Sequence, residues 1–141
     1  MDAIYLAIFA AVSFGLWTVF HKLASPYINQ IVGAIIVSFV AVLVGLIILI
    51  PRFKHIEFFN DWKGILFVVL AGIAAFFIDF LALSAYGKGL PVSIGGPIII
   101  GGSIALATII GFFMGESVSL LKILALILII GGSAILAYLS K

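Results

Sequence analysis

The sequence contains no cysteine, which excludes a disulfide framework, a thiol nucleophile and a cysteine-based metal site. It is almost as poor in charge: 9% of its 141 residues are Asp, Glu, Lys or Arg, against about 25% in a soluble domain. A soluble fold of this length needs polar side chains to cover its surface, and here there are too few. The seven basic residues are scattered through short segments and form no patch suited to nucleic acid, so no nucleic-acid partner is expected. A P-loop lysine motif, an HExxH motif and a serine elbow are missing too, and His55 beside Glu57 is too isolated to hold a metal. Catalysis, a cofactor and a metal centre therefore have no visible apparatus, and the chain is not expected to be an enzyme.

What the sequence has in quantity is apolar surface, 66% of its residues where a soluble domain has about 45–50%. Uncharged runs extend from Ala3 to Phe20, Ile31 to Ile50, Gly64 to Ile78, Gly89 to Gly115 and Ile123 to Ser140. Several approach the roughly 20 residues that a spanning helix needs. They do not alternate polar with apolar, as the strands of a membrane barrel do. The expected fold is an all-α integral membrane protein, a single domain over 1–141 with five transmembrane helices at approximately 3–24, 31–50, 64–86, 91–114 and 119–139. The first run is led by Asp2, with no Lys or Arg, and is too long for a secretory signal, so it is expected to be retained.

The linking segments are short and leave no room for a soluble domain, so any chemistry belongs within the membrane or at its edge. Lys and Arg set orientation. The face holding the N-terminus carries Arg52, Lys54, Lys63 and Lys122, and the opposite face Lys22, Lys88 and Lys141. Four against three favours a cytoplasmic N-terminus while permitting both orientations of one chain. Membrane lipid is the expected surroundings, and the cell (inner) membrane the expected location, crossed several times.

The segment Gly15-Leu16-Trp17-Thr18-Val19-Phe20-His21-Lys22-Leu23-Ala24 resembles the opening helix of EamA-type proteins of the drug/metabolite transporter superfamily. The stretch Ala85-Tyr86-Gly87-Lys88-Gly89-Leu90-Pro91-Val92-Ser93-Ile94-Gly95-Gly96-Pro97 is similar to that family's junction between third and fourth helices. Gly115-Glu116, leading through Ser117 to Leu121 into a last helix containing Gly131, is similar to the short link before its fifth helix. The order of these elements is more specific than any one of them. Two positions depart from the pattern: Phe14 stands where the family often has tryptophan, and Asp79 where it usually has an apolar or aromatic residue. The resemblance implies one five-helix repeat of a fold whose members often carry two in opposite orientation, and hence a partner.

Asp79 is the sharpest signal. The third span is long enough only if it continues through Asp79 to Tyr86, about four residues past its midpoint, or roughly 6 Å. An ionised carboxylate at a helix centre costs roughly 2.5–3.5 kcal/mol on insertion scales. It can be a proton or cation site, or a protonated carboxyl bonded to the Ser84 or Tyr86 hydroxyl that only fixes packing. Pro97 lies inside the fourth span, where it frees the carbonyl of Ser93; freed backbone can line a cavity, or form a kink satisfied by the Ser93 hydroxyl. Trp17 and Tyr86 can stack on a solute or anchor at headgroup level. His21 and Lys22 read as a solvated helix end, with the resemblance alone giving Lys22 a functional candidacy. Trp62, Phe58 and Phe59 with Lys63 read as an interfacial belt. Small residues on two faces of the fourth span, and Gly131, Gly132 and Ser133 in the fifth, permit close helix packing, the latter within a dimer seam.

The expected function is a secondary transporter of a small solute, working as a homodimer, antiparallel, or as a pair with a five-helix homologue. Trp17, Asp79, Ser93, Pro97 and Tyr86 are the candidate solute-binding residues, with Asp79 as the coupling group. The alternative is a non-transport membrane subunit that binds a larger partner through its small-residue helix faces.

Overall fold

A computed structural model describes residues 2–55 and 61–139. Glu57, Phe58, Phe59 and Lys141 lie outside the described residues, as do the side chains of Lys54 and His55. The described chain forms helices α1 (Ala3–Ala24), α2 (Gln30–Leu49), α3 (Trp62–Gly87), α4 (Val92–Phe113) and α5 (Leu120–Tyr138). A 3-10 helix (Ile50–His55) continues α2. All five α-helices are long and apolar enough to cross a membrane, and no strand occurs among the described residues.

Local chemistry sets the helix ends. Asn29 Oδ1 accepts from the amides of Ile31 and Val32 at the start of α2, Asp61 Oδ1 from Lys63 at the start of α3, and Ser119 Oγ from Lys122 at the start of α5. The Asp61 cap starts α3 at Trp62, two residues before the first uncharged residue of the run. At the other end, α3 and α4 stop in the same way. Gly89 and Gly115 adopt φ of +98° and +92°, a left-handed turn that side chains disfavour. The amides of Leu90 and Gly89 then bond the carbonyls of Ala85 and Tyr86, and those of Glu116 and Gly115 bond Gly111 and Phe112. These paired bonds satisfy carbonyls that a helix end leaves orphaned. Glu116 thereby folds back over Gly111, where a methyl group would meet its carboxylate at 3.0 Å.

Helices α1, α3 and α4 pack together at the centre; α2 lies along α3, and α5 along α4. Glycines let them approach. A methyl on Gly95 would come within 2.6 Å of the Tyr86 ring, and one on Gly96 within 3.3 Å of the Thr18 methyl. Nearly all buried residues gather at the end of the bundle where α1 and α3 finish and α2 and α4 begin: Thr18, His21, Ser25, Ala34, Asp79, Ala82, Leu83 and Tyr86. Toward the other end the helices bury few residues, and α5 buries none along its length. The unit is closed at one end and open at the other.

Candidate functional site

On α1, Phe14, Trp17, Thr18 and His21 fall at helical spacing, and so share one face. Phe14 and Trp17 pack with ring centroids 5.0 Å apart, and Trp17 and His21 at 4.0 Å. On α3, Asp79, Ala82, Leu83 and Tyr86 repeat at the same period and form its buried face. Asp79 is 7% exposed, so its carboxyl group points into the bundle and away from the acyl chains.

Docking α1 on α3 brings the two polar sets together. Trp17 Nε1 donates to Asp79 Oδ1 at 2.7 Å. His21 Nε2 lies 3.1 Å from the same oxygen, yet the pair is not aligned as an ordinary hydrogen bond, which leaves Nε2 a buried nitrogen without one. His21 Nδ1 lies 2.9 Å from the Trp17 carbonyl oxygen. A carbonyl only accepts, so Nδ1 carries a hydrogen. The hydroxyls of Ser84 and Tyr86, the partners that sequence offered to Asp79, are not used: Ser84 Oγ donates to the Phe80 carbonyl, and Tyr86 Oη is buried without a partner among the described residues.

Beside this cluster a cavity of about 430 Å³ opens between α1, α2 and α3, walled by Ala10, Ser13, Phe14, Trp17, Val37 and Asp79 among others. Its size falls in the range of small-molecule sites, and its character matches them: mostly apolar, with a few convergent polar groups. A second cavity, about 480 Å³, lies on the other side of α1 against α4 and α5, with Thr18, Pro97 and Ser133 in its wall. Helix α1 separates the two.

The five sequence candidates therefore part company. Trp17 and Asp79 meet at the first cavity, while Pro97 lines the second. Tyr86 is 1% exposed and wedged against Gly95, and Ser93 is exposed on the first turn of α4; neither lines these two cavities. The carbonyl of Pro97 itself accepts from Ser133 Oγ at 3.0 Å, so Ser133 turns inward to α4 rather than outward to a seam.

His21 is the residue that sequence reading placed elsewhere. It is 4% exposed, not a solvated helix end, and the signal for it was its position four residues after Trp17. Lys22 is likewise engaged: its Nζ donates to the Tyr86 carbonyl at 3.2 Å and so caps the end of α3, where a cation opposes the helix dipole. Among the described residues no three His, Asp or Glu side chains gather as metal ligands would.

These features define a multi-pass helical membrane protein that contacts lipid along its helices and holds a polar cluster inside the bundle. The model of the EamA-like transporter family matches residues 1–138. The chain belongs to that family and is a membrane transporter of the drug/metabolite type. Neither a search of curated proteins nor one of solved structures returns a match.

Proposed function

We propose that this protein is a secondary transporter of a small solute, that it acts as an antiparallel dimer of five-helix units, and that Asp79 couples solute movement to a proton or cation. The observation that carries the reading is the buried Asp79 carboxyl group, held by the Trp17 indole at the wall of a cavity large enough for a small organic molecule. Ionisable groups at membrane depth cost free energy and are retained at ion and proton pathways. Trp17 supplies a flat apolar face for the solute and Asp79 the exchangeable charge. Pro97 lines the path on the far side of α1.

Two features support the dimer. The unit exposes 10,692 Å², whereas a compact protein of 15.0 kDa exposes about 7,000 Å². Lipid covers part of that difference, and the rest leaves room for a large obligate interface, in which each partner buries roughly 1,000–2,500 Å². The unevenness of that exposure also matters. Inverting a second copy sets its closed end beside the open end of the first, so each covers exposed helices of the other, as inverted repeats do in secondary transporters.

The purified chain in proteoliposomes, screened with metabolite-sized solutes under a pH gradient, tests this. Gradient-driven uptake is expected, and Asp79→Asn is expected to abolish coupling while insertion stays intact. Unchanged proton-coupled flux in the Asn variant would reject the role of Asp79. C-terminal reporter fusions giving signal from one face only would reject the antiparallel homodimer.

A further inference from the structure

We infer that His21 is the second half of the proton site: His21 and Asp79 hold one proton between them, and that proton pins α1 to α3. This rests on Asp79 as the coupling group, but on no particular solute.

The Trp17 carbonyl oxygen faces His21 Nδ1 at 2.9 Å and can only accept, so Nδ1 is protonated. In a neutral imidazole Nε2 is then bare and presents a lone pair. That lone pair would lie 3.1 Å from Asp79 Oδ1, off the line of an ordinary hydrogen bond, and an ionised carboxylate presents only lone pairs. Two acceptors at this distance, both withdrawn from water, repel each other and satisfy neither. A proton between them removes the conflict. It rests on Nε2, giving an imidazolium beside a carboxylate, or on the carboxyl group, giving a neutral acid beside a neutral imidazole. Both forms have the same proton count and zero net charge.

No other described group can take that place. Helices α2 and α4 carry no titratable side chain. The Lys22 ammonium is committed to the Tyr86 carbonyl, and Tyr86 lies two turns beyond Asp79 on the same face of α3. Lys122 and Tyr138 belong to α5, which packs on α4. Loss of the proton leaves a net negative pair whose members repel, and Asp79 then keeps the Trp17 N–H as its sole described donor. The α1–α3 contact loosens at the wall of the first cavity, which ties proton release to helix movement.

The sequence contains two histidines, so His55→Gln leaves His21 alone for nitrogen-15 spectroscopy of the chain in liposomes, with the native pair untouched. At neutral pH the expected spectrum shows Nδ1–H together with either a protonated Nε2 or, in the infrared, a protonated carboxyl band that disappears in Asp79→Asn. A bare Nε2 with no such band overturns the inference. In a Trp62→Phe background, Trp17 emission should change in one step as pH rises, and His21→Gln should lose that step. A step that survives His21→Gln unchanged assigns the proton to Asp79 alone and also overturns it. These readouts need no solute, so their failure is separable from a failure of coupled flux.

Discussion

Gly101 on α4 faces Ser133 on α5 so closely that a methyl group has no room between them, and Ser133 Oγ reaches past it to the carbonyl of Pro97, one helical turn earlier. This contact joins the outermost helix to the core. Gly101→Val should therefore separate α5 from α4, an overpacking cost of about 1–3 kcal/mol, and Ser133→Ala should cost about 0.6–2 kcal/mol, as hydrogen bonds between membrane helices do. Unfolding midpoints in mixed detergent measure both. Equal stability of Gly101→Val and the native chain would contradict the packing.

Trp17→Phe keeps an aromatic face on the cavity wall and removes only the Nε1 donor to Asp79. A hydrogen bond to a charged group contributes about 1.5–3 kcal/mol. Proton-driven uptake in the Phe variant should fall roughly 10- to 100-fold on that scale, while solute binding is changed far less. Separate measurement of binding and of driven flux distinguishes the two.

Gly89 and Gly115 hold the left-handed turns that stop α3 and α4. Alanine at either position keeps the hydrogen bonds possible but adds a Cβ that the conformation disfavours, at a cost of about 1–2 kcal/mol. Both substitutions should lower the thermal midpoint by comparable amounts. Gly72→Ala provides the control, because no neighbour lies within 4 Å of its added methyl and helical alanine is favoured over glycine.

The absence of cysteine makes single-cysteine reporters clean. Ala10 lines the first cavity, whereas Ala34 is 0% exposed. A water-soluble maleimide should label Ala10→Cys and leave Ala34→Cys unmodified, with the transported solute slowing the first reaction. Failure to label Ala10→Cys would mean that the cavity is closed to water.

Orientation rests on a difference of one charge between faces. Lys88→Gln leaves Lys22 and Lys141 opposing Arg52, Lys54, Lys63 and Lys122, and should push insertion toward one orientation. Paired reporter fusions would register this as loss of signal from one face.

The five spans and the family were legible because each depends on a property of neighbouring residues: apolar length for the helices, and the order of Trp17, Ser93, Pro97 and Gly115-Glu116 for the resemblance. Asp79 stood out on the same grounds, as a carboxyl group inside an apolar run. Its surroundings did not. Trp17 and Asp79 are 62 residues apart, and their meeting depends on how α1 rotates against α3, which no periodicity of either helix encodes. His21 illustrates the limit. Beside Lys22 at a helix terminus it reads as wetted, whereas its place between Trp17 and Asp79 at the α1–α3 contact leaves it 4% exposed. Ser133 was ambiguous for the same reason, since a small polar residue suits an inward or an outward face equally well.

Five is an odd number of crossings, so the first helix begins on one face of the membrane and the fifth finishes on the other. Two copies joined head to tail would therefore start from opposite faces, and the second would lie upside down without a single added residue. Such a fusion would have the doubled, inverted architecture common among larger carriers, its halves related by a two-fold axis in the membrane plane.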